Sequence, residues 1–137
     1  MAHVYVDRRE LPEDLQTLLD AGISPEYSPP FDILETATGI EIRMDLPGVS
    51  SSEIEIVFAH NVLLIAGRKL PCACEDGSAA FHVAERSFGR FARAMMLDGA
   101  FDIDRAAATL TAGELRVVLP RQPERRGRQI RIPIATP

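Results

Sequence analysis

From Phe31 onward, apolar and polar side chains alternate with a period of two, the mark of strands with one buried face. The stretch "FDILETATGIEIRMDL" reads as two strands about a turn at Thr38-Gly39. Ile40, Ile42 and Met44 alternate there with Glu41, Arg43 and Asp45. "PGV" (47–49) turns the chain, and "SEIEIVF" alternates again, Ile54 and Ile56 against Glu53, Glu55 and Val57. His60-Asn61 is a tight connection into the strongly apolar "VLLIAG" (62–67). "FHVAER" and "GRFARAMML" are further extended runs, and "AAATLTAGELRVVLP" predicts a hairpin about Ala112-Gly113. The alanines of "IDRAAATL" also suit a helix, capped by Asp102 or Asp104, so the local pattern alone leaves that stretch open. Seven or more short strands with closely spaced turns imply an all-β, immunoglobulin-like β-sandwich. Residues 67–80, polar and Gly/Pro-bearing, are a long excursion from it, and loops of that length are generally functional or disordered.

The ends follow other rules. "LPEDLQTLLDA" (11–21) predicts a short helix with Leu11, Leu15, Leu18 and Leu19 on one face. Pro12, Glu13 and Asp14 suit its first turn, and Gly22 stops it. About ten residues of helix are marginal alone, so the leucine face must pack on something. "SPEYSPP" (24–30) breaks regular structure and reads as a linker. The last stretch, "RQIRIPIATP" (128–137), sets Ile130, Ile132 and Ile134 along one side of an extended segment, with Pro133 excluding a helix. The organisation expected is an arm over residues 1–30, a sandwich over 31–121 and an extension over 122–137.

Composition narrows the function classes. With 137 residues and 46% hydrophobic content, the chain has enough apolar material for one packed domain. No apolar run approaches the roughly 18 residues that span a bilayer, and "MAHVYVDRRELPEDL" lacks a signal peptide's apolar region, so the expected compartment is the cytoplasm. Residues 1–60 carry twelve acidic and three basic side chains, and residues 61–137 eight and twelve. The basic excess in "RQPERRGRQIR" lacks interleaved aromatics. It reads as a solvated linker rather than a nucleic-acid site, and its contrast with the acidic half suits head-to-tail self-association. Cys72 and Cys74, two residues apart, would make a strained disulfide and fall short of a closed zinc site. They read as loop thiols, with a redox or metal-sensing role as a minor alternative. His3, His60 and His82 are scattered without an evident nucleophile, and neither a phosphate loop nor a Gly-x-Ser-x-Gly elbow is present. No cofactor, metal or enzyme activity is expected.

Several stretches together resemble the α-crystallin domain of the small heat-shock proteins, of the bacterial and plant type. "MDLPGVSSSEIEI" is similar to that family's acidic-Leu-Pro-Gly-Val turn, and "NVLLIAGRK" to its next apolar strand. "FHVAERSFGRFARAMML" is similar to its Glu-Arg-x-x-Gly-x-Phe-x-Arg run, and "AATLTAGELRVVLP" to its Ala-x-Leu-x-x-Gly-x-Leu hairpin. "IRIPI" matches its Ile-x-Ile tail motif twice. Five motifs in order cover roughly residues 30–134, and they select strand over helix near Ala106–Leu110. Leu97-Asp98 replaces the family's usual Leu-Pro, and Glu114 its usual valine.

The resemblance implies an ATP-independent holdase that keeps partly unfolded client proteins from aggregating and is stored as a homo-oligomer, without nucleic-acid or membrane partners. It implies that the tail, through Ile130, Ile132 and Ile134, docks on a neighbouring dimer in a groove formed by Ile54, Ile56, Ala107 and Thr109. It implies a strand-swapped dimer in which the loop 67–85 carries "FHVAE" to the partner near Asp32–Glu35. Phe81, His82, Glu85, Arg86 and Arg93 would then lie at the interface. Leu11, Leu15, Leu18 and Leu19 of the arm become a client-binding surface. The alternative is a non-catalytic, p23-like adaptor or co-chaperone sandwich, a class that lacks the swap loop and the Ile-x-Ile tail.

Overall fold

The computed structural model describes residues 2–5, 10–20, 25–71, 77 and 79–122; Cys72, Cys74 and the tail isoleucines Ile130, Ile132 and Ile134 lie outside the described residues. The chain runs β1 (Ala2–Tyr5), α1 (Glu13–Asp20), β2 (Phe31–Glu35), β3 (Gly39–Asp45), β4 (Ile54–Ala59) and β5 (Val62–Lys69). It continues through β6 (Gly89–Leu97), β7 (Ala107–Thr111) and β8 (Glu114–Pro120). Two four-stranded sheets result, ordered β1-β6-β5-β4 and β2-β3-β8-β7. Every pairing between these strands is antiparallel. An all-β sandwich with a short helical arm is what the alternation predicts.

The inner faces follow the period of two. Ile40, Ile42 and Met44 of β3 meet Leu63 and Ile65 of β5, Phe91 and Met95 of β6, and Leu115, Val117 and Leu119 of β8 in one buried cluster. Two hairpins are closed by residue pairs with positive φ, His60 (53°) with Asn61 (60°) and Ala112 (51°) with Gly113 (77°). Two consecutive residues of that kind give a turn whose twist matches the flanking strands. The "IDRAAATL" stretch forms a single 3₁₀ turn, Ile103–Arg105, and then enters β7 as a strand. One outward position breaks the pattern: Glu41 is 5% exposed. It is held by Arg43 at 3.4 Å and by Arg116 on the neighbouring β8.

The first sheet is apolar on both faces, because β5 is an unbroken apolar run with Val62 to Ile65 all buried. Its outer face is covered by the arm: Leu11 and Leu15 pack on Val62, Leu64 and Ala94. Strand β1, which the sequence reading left unassigned, pairs in register with β6 from Ala2↔Leu97 to Tyr5↔Ala94. The helix begins at Glu13, two residues later than the pattern suggested, and puts Glu13 and Asp14 in its first turn. Free backbone N–H groups there favour negative charge.

Candidate functional site

The two long sides of the sandwich are built differently. Where β6 approaches β2, the linker seals the gap: Glu26 and Tyr27 donate backbone N–H bonds to the Arg90 carbonyl at 2.8 and 3.3 Å. The Tyr27 ring meets Phe91 edge-on at 5.6 Å. Arg93 completes that seal. Its Nη1 donates to the Pro29 carbonyl at 2.9 Å, and its guanidinium lies 4.4 Å over the Phe31 ring. Burial pushes the Arg93 pKa down from the usual arginine value. Among the described residues of this single chain Arg93 has no carboxylate partner, and it braces the linker through Pro29 and Phe31.

The opposite side stays open. There β4 ends one sheet and β7 ends the other, and among the described residues neither has a strand beyond it. Between them runs a groove of about 240 Å³, lined by Ile56 and Phe58 of β4, Ala106, Ala107 and Ala108 along β7, and floored by Leu63, Val117 and Leu119. Every lining side chain is apolar. Ile103, 43% exposed, forms its rim from the 3₁₀ turn before β7. Alanines leave the gap open because their side chains stop short of β4. Phe58 is fixed by an edge-on contact with Phe101 at 6.0 Å, and Phe101 carries the Arg121 guanidinium at 5.3 Å.

Of the four residues expected to form this groove, Ile56 and Ala107 line it. Ile54, on the same side of β4, packs half-buried against the core and lines a different hollow. Thr109 is not among the lining residues: it is exposed and lies in register with Arg116 of β8. Ala106, just before β7, and Leu110 within it pack against the core. Phe58, Ala108 and Ile103 were missed; the alternation of "SEIEIVF" extended by one step to Phe58 was a signal for the first.

The hollow beside Ile54 has about 280 Å³ and is lined by Ser52, Glu53, Glu55, Ala66, Gly67, Arg68 and Arg90. Arg68 Nε donates to Glu53 Oε2 at 2.6 Å. That hydrogen bond holds the Glu53 carboxyl below the usual carboxylate range and pushes the Arg68 pKa up. Unlike the groove, this hollow carries charged side chains, Glu53, Glu55, Arg68 and Arg90, among its lining residues.

A second feature is the stretch 79–88, which joins no ladder among the described residues. Phe81 and Val83 are 76% and 71% exposed, and His82, Glu85 and Arg86 are exposed with them. Further along, Phe88 is clasped by Lys69 at 5.2 Å and Arg86 at 5.1 Å. Strand β2 meanwhile pairs with β3 alone and ends its sheet. One chain therefore presents both a segment outside every ladder, with Phe81 and Val83 exposed, and, among the described residues, an open strand edge. In the arm, Leu11 and Leu15 are buried, and Leu18 and Leu19 lie within α1. No group of three or more potential metal-ligating side chains occurs among the described residues, and no helix there is long and apolar enough to cross a membrane.

Comparison with known proteins places this architecture. Residues 32–135 match the family model described as Hsp20/alpha crystallin family. Spore protein SP21 of Stigmatella aurantiaca is 33% identical over 108 residues, covering 79% of this chain and 63% of that protein. Small heat shock protein C2 of Rickettsia felis is 29% identical over 104 residues, covering 76% of this chain and 67% of that protein. The matched stretch thus spans about two thirds of these relatives. Among solved structures, heat shock protein 16.0 from Schizosaccharomyces pombe superposes with a TM-score of 0.68 at 28% identity, covering 80% of this chain and 100% of that one. A small heat-shock protein from Xylella fastidiosa superposes at 0.66 and 27% identity, covering 80% and 99%. With the sandwich, the motif order and a family match over most of its length, the chain belongs to the Hsp20/alpha-crystallin family of small heat-shock proteins.

Proposed function

We propose that this chain is an ATP-independent holdase: it binds partly unfolded proteins in the cytoplasm, prevents their aggregation, and is stored as a homo-oligomer. The reading needs no cofactor, metal or catalytic step. The observation that carries it is the open groove between β4 and β7, whose lining side chains are all apolar. Apolar surface of that kind marks an interaction site, because left bare it invites self-aggregation.

The groove is the seat of the tail of a neighbouring dimer, through Ile130 and Ile132 or Ile132 and Ile134. Burying two isoleucines contributes roughly 3–6 kcal/mol before ordering costs. Pro133 lowers those costs by keeping the tail extended. Repetition around an assembly adds avidity while each contact stays reversible.

The dimer forms by strand exchange. Phe81 to Glu85 of one chain pairs with the β2 edge of the other near Asp32–Glu35, covering an edge that would otherwise template aggregation. Glu85, Arg86 and Arg93 contribute ion pairs there. On release, the arm leucines Leu11, Leu15, Leu18 and Leu19 join in binding clients.

The deciding measurement is light scattering from a thermally unfolding client protein, with and without the purified chain and with no nucleotide. Suppression near equimolar subunits is expected. No suppression at several-fold excess would sink the holdase reading and favour a p23-like adaptor. Replacing Cys72 and Cys74 by serine is expected to leave suppression intact.

A further inference from the structure

The arm does more than complete the fold. Its leucines Leu11 and Leu15 form, with Val62, Leu64 and Ala94, an apolar cluster distinct from the sandwich core, with Val57 and Ala59 at its margin. The antiparallel register puts Val57, Leu64 and Ala94 in one row across the outer face of the first sheet, and Ala59, Val62 and Met96 in the next. A sheet face exposed to water should be polar at alternate positions. This one is apolar in both rows, and Met96 at its margin is 36% exposed.

The cover over these rows is slight. β1 has four residues and α1 has eight, shorter than helices that persist alone in water. His60 Nε2 also lies 3.0 Å from Asp14 Oδ2 of the helix, with both side chains more than half exposed. Lifting the arm would bare the face and one edge of β6, and leave every member of the main core in place, since the two clusters share no residue.

We infer that the outer face of the first sheet, over Val62, Leu64, Ala94 and Met96 with the freed edge of β6, is a second client-binding surface that the arm occupies at rest. Its occupant in the working state is a segment of an unfolding protein. The chemistry it selects is that of the resident arm: a short extended stretch that adds to the β6 edge, and leucine-sized side chains four residues apart. This surface is separate from the β4–β7 groove, on the other face of β5. A client held here does not compete with a docked tail. The inference rests on the holdase reading and names where that activity holds its client.

The test uses the full-length chain carrying a photo-crosslinking residue at Met96, or at Ile103 on the groove rim as a second reporter. Each is heated with citrate synthase as the unfolding client and irradiated. Adducts from position 96 are expected to be mainly with the chain's own arm before heating and with the client afterwards. Leu15→Ser, which weakens the arm's seat, is expected to raise the client adduct at 96 severalfold relative to that at 103. Where Leu15→Ser lowers the melting temperature of the sandwich itself, His60→Asn gives the same comparison, because asparagine suits the positive φ of that turn while its shorter side chain gives up the link to Asp14. Suppression of aggregation with client adducts from 103 alone, in all backgrounds, overturns the inference while leaving the holdase reading standing. Absence of suppression by the unsubstituted chain defeats both.

Discussion

Individual positions carry backbone constraints that side-chain pattern does not reveal. Gly67 lies where β5 passes the Glu53 carbonyl and the Phe91 ring, and a Cβ there would collide with that carbonyl and come within 2.8 Å of the ring. Neither neighbour can yield cheaply, since one is backbone and the other is core. Gly67→Ala is expected to destabilise the chain by about 1–3 kcal/mol, the usual range for overpacking, read as a lower urea midpoint. Ala112 is the opposite case. It holds φ at 51° in a two-residue turn where glycine or asparagine is the ordinary choice. The left-handed conformation costs a residue with a Cβ roughly 1–2 kcal/mol, partly offset by the extra freedom glycine has when unfolded. Ala112→Gly is therefore expected to raise the urea midpoint, by about 0.5–1 kcal/mol in stability. Nothing in the alternation of "AAATLTAGELRVVLP" announces that cost; the position of the turn was legible there, and its strain was not.

Elements show where pattern succeeds and where partners decide. β3, β4, β5, β6 and β8 were all legible, because a one-sided or fully apolar run has a single low-energy placement in a sandwich. β1 was not: "AHVY" is too short to declare a period, and it becomes a strand only because β6 offers an edge. Along β7 the alternation is weak, because Ala107 and Ala108 do not differ in size or polarity, so the pattern alone does not say which of its residues line the groove. Residues 81–85 read as a strand yet join no ladder among the described residues, and the partner proposed for them is another copy of the chain. Phe81→Asp combined with Val83→Asp is accordingly expected to leave the melting temperature of the sandwich within a few degrees of the original, and to shift dimers toward monomers in sedimentation. If the dimer persists unchanged, the exchanged strand is elsewhere.

At the level of the whole molecule, the asymmetry of the sandwich matters most. One long side is sealed by the linker, Tyr27 and Arg93, and the other is left open over the groove. A chain with one sealed side, one open side and an isoleucine-bearing tail is suited to propagate contacts from dimer to dimer. The acidic first half and basic last stretch favour the same head-to-tail sense. Full-length protein is expected to sediment well above a dimer, and a chain lacking residues 129–137 to fall toward dimers while keeping the circular dichroism of the sandwich. A truncated chain of unchanged size would rule out tail docking.

By itself, the sequence determined the two-layer β architecture, most strand positions, both two-residue turns and the family, because periodicity, turn chemistry and motif order are local properties. Tertiary structure alone decided which side of the sandwich closes and which stays open, since that depends on where the linker crosses. It also decided which residues of β7 face the groove, and that the arm covers a sheet with two apolar faces. Those outcomes arise from contacts between segments far apart in the chain, where small differences in side-chain size choose among registers that alternation leaves nearly equal.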